Sequence, residues 1–340
     1  MRSFIDIQRT LLPDLLQVMQ KRYTILRYIS FMQPVGRRSL AASLGYTERI
    51  LRSEVDFLKD QNLVNANKVG MSLTLEGKNL LEDLEGVMRE LRGFNEMELE
   101  LKHRLGIHRV MIVPGDSDET PMAKIELGRA CAVCMKRLLG GENIIAVTGG
   151  STMAAVAEQL TPDLGENNIL FVPARGGIGE DVQNQANVIC ANMAQNTHSK
   201  HRVFYVPDQV STVIYESLIK EPGIHEILGL IQSASMVLHG IGDAITMAER
   251  RKTSQELLQK LKDGNAAGEA FGYYFNEDGE IIHKSLIIGL QLDDLAKIPH
   301  IIAVAGGSSK AKAIRSYMRQ APSSTILITD EGAAKKLLKG

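Results

Sequence analysis

Two similar stretches decide the fold: residues 144–156 read IIAVTGGSTMAAV and residues 301–314 read IIAVAGGSSKAKAI. Each begins with an apolar run typical of a buried strand, continues through Gly-Gly and hydroxyl residues, and ends in an Ala-rich helical pattern. The paired glycines allow backbone conformations that a Cβ atom disfavours, so several N–H groups can point into one concavity. Each stretch therefore predicts a strand, a tight turn and the start of a helix.

The two turns are candidate anion sites. Hydroxyl residues follow the glycines at N-cap positions, at the positive end of a helix dipole, where phosphate binds readily. A turn that uses glycine only for packing would explain either stretch alone equally well. Two copies, with Lys310 added to the second, favour anion binding. The residues of the two turns are Gly149, Gly150, Ser151, Thr152, Gly306, Gly307, Ser308 and Ser309.

Length and composition bound the class of protein. At 340 residues the chain can form two domains with large cores, and its formal net charge of −1 requires any nucleic-acid contact to come from a local basic face. Three cysteines and the lack of a long apolar run predict a soluble cytoplasmic protein that does not bind a membrane. Cys131 and Cys134 form C-x-x-C inside a helical pattern. Because no second pair completes a zinc site, we interpret them as core residues and predict no metal.

The N-terminal region predicts a helix-turn-helix. Apolar positions at helical spacing over residues 4–19 and 21–33 predict two opening helices. In the segment that follows, Ser39 can cap a short helix, Gly45 can turn the chain and Thr47 can cap a second helix. This spacing is typical of a helix-turn-helix.

A wing and a basic face complete this candidate DNA-binding domain. Two short extended runs flank a turn at residues 67–70, which is typical of a β-wing. In the second helix, Ile50, Leu51 and Val55 are expected on the buried side, so that the opposite side faces the major groove of DNA. The candidate DNA-binding residues are Arg37, Arg38, Thr47, Arg49, Arg52, Ser53 and Lys68.

For each arginine alone, a solvated helix face is the alternative interpretation. The spacing and the wing together favour a winged helix-turn-helix over a helical module that does not bind DNA. Acidic residues dilute the charge of the second helix, so we expect weak binding by one copy and two-fold pairing on a palindromic operator. A heptad pattern after the wing indicates either a pairing element or an amphipathic helix packed on its own domain. It is formed by Leu80, Leu84, Val87, Leu91 and Phe94.

From residue 109 onward, short β-branched runs alternate with helical patterns, which predicts an α/β domain with parallel strands. Residues 268–290 resemble a hairpin or flap with a turn at residues 278–279. The predicted fold class is α/β, with a winged helix-turn-helix domain and the start of a linker helix over residues 1–88. A doubly wound α/β domain for effector binding and oligomerisation follows over residues 89–340. The predicted strands are 109–113, 143–148, 168–172, 201–206, 234–239, 300–305 and 324–328.

Loops after these strands carry polar and charged residues, as expected where ligands collect at the carboxyl ends of parallel strands. Arg175, Arg250 and Lys310 fall on one predicted rim and could neutralise two phosphoryl groups. For each arginine alone, a surface or salt-bridged role remains the alternative. These residues predict a sugar phosphate as ligand, with a bisphosphate among the candidates. The residues available for sugar hydroxyls are Gln185, Asp243 and Glu269.

Four motifs together resemble the sugar-binding domain of the SorC/DeoR-type bacterial transcriptional regulators. They are ELELKHRLGIHRVMIVPG at 98–115, TGGST at 148–152, GIGD at 240–243 and AGGSSKAKAI at 305–314. The resemblance covers residues 89–340. It implies the fold of phosphosugar isomerases and glucosamine-phosphate deaminases, used as a sensor without a cofactor and not as an enzyme.

The resemblance also implies a role for individual residues. The family's phosphate turn falls on the first Gly-Gly stretch and a second anchor on the second, with the remaining residues lining the cavity between them. Over the whole chain, the likeness to repressors of glycolytic operons within this family implies fructose 1,6-bisphosphate as effector, operator DNA as partner, and a dimer or tetramer. The implied effector-binding residues are Gly149, Gly150, Ser151, Thr152, Arg175, Gln185, Arg250, Glu269, Gly307, Ser308 and Lys310.

An active phosphosugar isomerase or deaminase with an added nucleic-acid-binding domain is the alternative function. It requires an acid and a base beside the bound carbon chain, and Asp243 with Glu269 could serve. No histidine falls in the Gly-rich loops, which argues against it.

Overall fold

In the computed structural model the chain divides into two units, Met1–Glu96 and Met97–Gly340. The first is helical with a two-stranded wing, and the second is built on a seven-stranded parallel sheet. No helix within the described ranges is both long and apolar enough to cross a membrane. The structure describes residues 8, 10–177, 181–207 and 211–340, and only the backbone of residues 166 and 167.

One long helix, α1 (Pro13–Met32), occupies the region where the pattern predicts two helices meeting near Gln20. The predicted boundary near Gln20 was wrong, because Gln20 and Lys21 are both good helix formers and neither interrupts the helix. Helical residues also precede α1, up to Leu11, and the break lies at Leu12. The helix begins at Pro13, whose missing N–H costs no hydrogen bond in the first turn. Residues 4–7 of the predicted first helix lie outside the described residues.

Helices α2 (Arg37–Leu44) and α3 (Glu48–Asp60) form the predicted helix-turn-helix. Gly45 ends α2 with a left-handed φ of 65°, a conformation that glycine adopts without a Cβ penalty. The hydroxyl of Thr47 accepts a hydrogen bond from the N–H of Ile50 at 3.3 Å and so caps α3, as predicted.

Two details of this motif differ from the prediction. Ser39 lies inside α2 instead of capping it, because the helix begins earlier, after Gly36. Ile50 is 43% exposed, because the buried residues of α3 recur three and four positions apart and Ile50 lies just ahead of them. This buried stripe consists of Leu51, Val55 and Leu58.

Strands β1 (Val64–Ala66) and β2 (Met71–Leu73) pair antiparallel and form the predicted wing. The side chain of Asn67 closes the wing turn by accepting hydrogen bonds from the N–H groups of Val69 and Gly70, at 2.9 and 3.1 Å. An asparagine that bonds to its own turn in this way fixes a tight loop. Lys68 lies exposed in this turn.

Helix α4 (Leu75–Leu91) packs against α1 within its own unit. Leu84 and Leu91 belong to the α1–α4 cluster and Leu80 packs on the helix-turn-helix core, whereas Val87 is 38% exposed. Most of the heptad positions therefore serve an amphipathic helix packed on its own domain, one of the two alternatives. The chain then turns, with a left-handed φ at Gly93, into α5 (Phe94–Leu105).

Gly77 in the first turn of α4 supplies a test of this packing. A Cβ atom at Gly77 would overlap the backbone carbonyl of Leu63, whereas one at Gly86 in the same helix meets nothing within 4 Å. Gly77→Ala should destabilise the first unit by about 2 kcal/mol, because a backbone overlap cannot be relieved by a rotamer change. Gly86→Ala should stabilise it by roughly 0.5–1 kcal/mol, since alanine is the better helix former. Urea unfolding followed by circular dichroism would measure both; equal effects would contradict the contact with Leu63.

The second unit contains a parallel sheet in the order β3-β13-β12-β7-β4-β5-β6. From β4 the chain proceeds through β5 to β6 at one edge, and from β7 through β12 to β13 toward the other. The winding thus reverses between β4 and β7, which makes the fold doubly wound. The strands are β3 (Arg109–Val113), β4 (Asn143–Val147), β5 (Ile169–Pro173), β6 (Lys200–His201), β7 (Met236–Gly240), β12 (His300–Val304) and β13 (Thr325–Asp330).

Helices connect these strands, and the inner strands are almost continuously buried, as in sheets covered on both faces. The helices are α6 (Pro121–Leu138), α7 (Ser151–Glu158), α8 (Ala186–Asn196), α9 (Thr212–Leu218), α10 (Pro222–Gln232), α11 (Ala244–Arg250), α12 (Gln255–Asp263), α13 (Ala311–Met318) and α14 (Glu331–Lys339). Short 3-10 turns cover Pro162–Asn167, Val182–Asn184, Leu292–Lys297 and Ser308–Lys310.

The predicted hairpin forms and is part of a small antiparallel sheet. This sheet consists of β8 (Gly242–Asp243), β9 (Ala266–Ala270), β10 (Tyr273–Asn276) and β11 (Ile281–Lys284), paired in chain order. The hairpin of β10 and β11 turns at residues 277–280, which includes the predicted position.

The strand predicted at residues 201–206 pairs with the sheet only at its beginning. Only Lys200–His201 pairs with β5. Farther along, the side chain of Asn187 accepts from the N–H of Phe204 at 2.7 Å and donates to its carbonyl at 3.1 Å. The buried side-chain amide of Asn187 thus supplies the hydrogen bonds that a neighbouring strand would supply to this extended segment.

Candidate functional site

The first Gly-Gly turn lies at the point where the sheet changes its direction of winding. It follows β4, and the loop at residues 240–243 follows the adjacent strand β7. The hydroxyl of Thr148 accepts a hydrogen bond from the N–H of Gly240 at 3.3 Å, which joins the two loops. Open α/β sheets bind ligands in the crevice outside such a switch point.

This first turn is open. Gly149 is needed for close approach, because a Cβ there would lie 2.7 Å from the carbonyl oxygen of Asn184. Gly150 has a φ of 117°, and a Cβ there would meet nothing within 4 Å. Helix α7 starts at Ser151, and no side chain caps it in the part of the chain that the structure describes. The N-terminus of α7, with the hydroxyls of Ser151 and Thr152, is therefore available to an anion.

The second turn is filled by the chain itself. Gly307 has a φ of 102°, and a Cβ there would lie 2.6 Å from the carboxylate of Asp118. Three consecutive backbone N–H groups each donate to a different carboxylate: Gly307 to Asp330 at 2.7 Å, Ser308 to Asp116 at 3.1 Å, and Ser309 to Asp118 at 2.7 Å. The N–H donors that the predicted second anchor would use at Gly307 and Ser308 are thus engaged within the protein.

A lysine that the sequence analysis missed stands beside the open turn. Lys124, in the first turn of α6, places its ammonium 3.4 Å from the hydroxyl of Ser151. The signal available in the sequence was its position soon after β3, since loops and helix starts after parallel strands line the ligand crevice.

Lys310 reaches the same region from the second turn. Burial lowers the pKa of its ammonium, and the cations Lys124 and Arg250 lower that pKa further, against Asp118 and Asp243, which raise it. Lys310 therefore lies within reach of the charges of both Lys124 and Arg250. Crowded positive charge beside an uncapped helix N-terminus favours a phosphate group.

Glu269 forms a buried ion cluster at the start of the small sheet. Its Oε1 accepts from Arg251 at 3.0 Å and from the N–H of Gly272 at 2.8 Å, and it lies 3.9 Å from Arg175. Arg251 also donates to the hydroxyl of Tyr274 at 2.9 Å. Burial opposes ionisation of Glu269, but Arg251, Arg175 and the Gly272 N–H outweigh it and hold its pKa below the usual value.

The other predicted ligand residues surround these two clusters. Gln185 is the N-cap residue of α8, directly after Asn184, whose carbonyl accepts from the N–H of Gly150 at 2.8 Å. Asp243 caps α11 by accepting from the N–H of Thr246 at 2.8 Å. Arg250, the last residue of α11, is exposed and acts on Lys310, whereas its neighbour Arg251 holds Glu269. Arg250 was predicted from the sequence, and Arg251 was not.

A buried histidine at the end of β7 does not face this crevice. The Nδ1 of His239 is 3.1 Å from the carbonyl of Gly240, and its Nε2 is 3.2 Å from the hydroxyl of Tyr317. A carbonyl only accepts, so Nδ1 carries the proton and Nε2 accepts from Tyr317. Burial lowers the pKa of His239 to about 4. The imidazole is therefore a neutral link between β7 and α13.

The predicted DNA-binding residues all lie on the surface of the first unit. Two of the arginines make exposed ion pairs, Arg38 with Glu48 at 3.5 Å and Arg52 with Asp56 at 3.8 Å. Exposed pairs of this kind contribute little energy, so both guanidinium groups can exchange these partners for DNA phosphates or bases. The exposed residues are Arg37, Arg38, Thr47, Arg49, Arg52, Ser53 and Lys68.

Comparison with known proteins agrees with both units. A family model of sugar-binding domains matches residues 89–339, and the model of the CggR N-terminal DNA-binding domain matches residues 18–88. A solved SorC family transcriptional regulator from Enterococcus faecalis is 48% identical, with a TM-score of 0.68 over 72% of this chain and 99% of that chain. The chain belongs to the SorC family of sugar-binding transcriptional regulators. Both the resemblance and the α/β fold class stated above are confirmed.

Two relatives of this SorC family member match along its whole length. The Central glycolytic genes regulator of Priestia megaterium is 60% identical over 340 residues, and that of Bacillus subtilis is 56% identical over 339 residues. Each alignment covers 100% of this chain and 99% of the relative. The full-length sorbitol operon regulator SorC from Klebsiella pneumoniae is 18% identical with a TM-score of 0.64, over 96% of this chain and 99% of that chain, and shows a shared fold.

Membership of the SorC family separates the two functional classes considered from the sequence. The matched domains are a DNA-binding domain and a sugar-binding domain, so this SorC family chain is a transcriptional regulator and not an enzyme.

Proposed function

We propose that this chain is a transcriptional repressor of glycolytic genes whose binding to operator DNA is modulated by a phosphorylated sugar, fructose 1,6-bisphosphate. Residues 1–88 bind DNA and include the start of the linker helix, and residues 89–340 bind the effector and form a homodimer or homotetramer. The protein acts in the cytoplasm, where operator DNA lies. The names of the two full-length relatives support the glycolytic role.

The open first turn carries the proposal for the effector. An uncapped helix N-terminus with the hydroxyls of Ser151 and Thr152 stands beside the ammonium groups of Lys124 and Lys310. A phosphate ester supplies the dianion that this arrangement binds best, because it accepts several hydrogen bonds and neutralises more than one cation. One phosphate of the effector binds here.

The second phosphate and the sugar require the other residues around the crevice. Arg175 and Arg250 supply guanidinium groups suited to phosphate, and Gln185 supplies an amide for hydroxyl groups. Binding modulates DNA affinity only if the effector favours one arrangement of the subunits over another, typically by about 1–3 kcal/mol.

A thermal-shift panel tests this proposal. Fructose 1,6-bisphosphate should raise the melting temperature of the wild-type chain, because a ligand at about 100 times its Kd stabilises the folded state by about 2.7 kcal/mol. Fructose without phosphate should not. The double substitution Ser151→Ala and Thr152→Val should remove the shift while leaving operator binding in a gel-shift assay unchanged. If no phosphorylated sugar shifts the melting temperature, the proposed effector function is wrong.

The pKa of Lys310 predicts how effector binding depends on pH. The phosphate binds the protonated ammonium, so affinity should fall once pH rises through the pKa of Lys310. That pKa is lowered from its ordinary value of 10.5, so the loss should begin at a lower pH than for an exposed lysine. Lys310→Arg should flatten this dependence, because arginine stays charged throughout the range. Isothermal titration with fructose 1,6-bisphosphate between about pH 7.5 and about pH 9.5 would measure it; identical profiles for the two proteins would place Lys310 away from the phosphate.

A further inference from the structure

The second Gly-Gly turn has the donor geometry of an anion site, and the anions in it belong to the protein. Its three N–H donors bind Asp330, Asp116 and Asp118, as described above. The two serine hydroxyls of the turn also donate to Asp118, at 3.3 Å from Ser308 and 3.0 Å from Ser309. Carboxylates of the chain therefore accept the hydrogen bonds of these donors, and the turn needs no ligand.

The three carboxylates are not equivalent. Asp330 is fully buried, and it also accepts from Ser117 at 2.6 Å and from the N–H of Ala333 at 2.9 Å. Such a buried group with several partners is a fixed part of the fold. Asp118 is exposed, and its carboxylate bonds only to the turn among the hydrogen bonds of the described residues. Asp118 can therefore move without disturbing the core.

Asp118 also acts on Lys310, one of the cations of the crevice. Burial, Lys124 and Arg250 lower the pKa of Lys310, and the charges of Asp118 and Asp243 raise it. Lys310 directly follows Ser309, whose N–H and hydroxyl both hold Asp118. The crevice thus contains a counter-anion of the protein beside the lysine that is expected to receive the phosphate.

We propose that the Asp118 carboxylate is an internal anion that sets the affinity and charge selectivity of the effector crevice. This inference rests on the proposed function, in which the crevice binds a phosphate. An incoming ligand gains the attraction of Lys124, Lys310 and Arg250 only after offsetting the charge of Asp118. Because the attraction of the cations and the repulsion of Asp118 both scale with the charge of the ligand, a phosphate dianion gains about twice the net attraction of a singly charged ligand.

Removing the charge of Asp118 should tighten anion binding. Asp118→Asn keeps the size of the side chain and an oxygen that accepts from Ser309, but it lacks the negative charge. Two effects then act in the same direction: the crevice becomes more positive, and the donors of the second turn are held less strongly. We expect fructose 1,6-bisphosphate and inorganic phosphate each to bind about fivefold tighter or more, the scale of one unit charge acting across a partly screened crevice.

Charge selectivity supplies a second readout. Inorganic phosphate in its dianionic form should gain more from Asp118→Asn, in fold-change, than a singly charged methylphosphonate monoester, because the repulsion that is removed scales with the charge of the ligand. Asp118→Glu restores the charge and should return both affinities to the wild-type range. Asp163→Asn is the matched control, because Asp163 is an exposed carboxylate of the same unit that pairs with Lys136; its affinities should equal those of the wild type.

Isothermal titration of the full-length chain at constant ionic strength measures these affinities, and circular dichroism with a ligand-free melting curve confirms that each variant is folded. Equal or weaker binding by folded Asp118→Asn overturns the inference, because Asp118 would then only position the turn. A wild-type chain that binds no phosphorylated sugar overturns the proposed function instead. If Asp118→Asn does not fold, folded Asp118→Ala takes its place. Binding by Asp118→Ala with the wild-type affinity would then overturn the inference, and tighter binding would support it.

Discussion

Arg251→Met should lower the free energy of unfolding of the α/β unit by about 3–5 kcal/mol at neutral pH, the range for leaving one member of a buried ion pair without its partner. Arg251 and Glu269 have side chains only 9% and 6% exposed, and they lie 3.0 Å apart. Methionine fills much of the arginine volume but leaves the carboxylate of Glu269 buried with less compensation. Tyr274 also loses its hydrogen bond from Arg251.

The neighbouring arginine is the control for this prediction. Arg250 is exposed, so Arg250→Met removes the same charge with an expected change within about 0.5 kcal/mol. Chemical unfolding of both variants, followed by circular dichroism, measures the difference. Equal stability of the two variants would contradict the buried cluster.

The loss of unfolding free energy caused by Arg251→Met should become smaller at acid pH. In the wild type the pKa of Glu269 is lowered, so its stabilising contribution is present above the unfolded-state pKa and is lost as pH falls through the folded-state pKa. In the variant, burial still raises the pKa of Glu269, and Arg251 no longer lowers it, so the protonated acid is favoured. Protonation as pH falls removes the cost of burying the charged carboxylate. The gap in unfolding free energy between the two proteins should therefore narrow at low pH; a constant gap would mean that steric packing, not charge, causes the loss.

Local sequence patterns were sufficient to predict most of the fold. Apolar runs followed by glycine placed the strands of the parallel sheet. Thr47 caps α3, and the wing turn at residues 67–70 forms, where each was expected. The predictions failed where a side chain distant in sequence, and not the local pattern, determined the structure. The segment after Arg202 looks like a strand, but at Phe204 its backbone bonds to the side chain of Asn187 instead of to a neighbouring strand.

The candidate site was predictable only in part, for the same physical reason. The two Gly-Gly turns have nearly the same sequence, yet one is open and the other is filled by Asp118, a residue 191 positions away from Ser309. Nothing within either stretch distinguishes them. Arg250 and Arg251 are a second case: adjacent helical residues point about 100° apart, so only one of them reaches Glu269, and the exact end of α11 decides which.

Arg52→Ala should weaken operator binding by about tenfold or more, since a guanidinium that contacts bases or phosphates contributes about 1–3 kcal/mol. Arg52 lies on the exposed side of α3, opposite the stripe of Leu51, Val55 and Leu58, and it makes a weak exposed pair with Asp56. The side chain therefore loses little when it leaves Asp56 for DNA.

The salt dependence of binding separates a direct contact from a change in folding. Loss of one phosphate contact should reduce the slope of log K against log salt by about 1, because one fewer counterion is released. Arg202→Ala is the control, since it removes another exposed arginine charge, in the other unit, and should leave affinity and slope unchanged. The assay requires a duplex selected for binding to the wild-type chain from a random-sequence pool. If Arg52→Ala and Arg202→Ala behave alike on that duplex, the exposed side of α3 does not enter the groove, and the wing or α2 must contact DNA in its place.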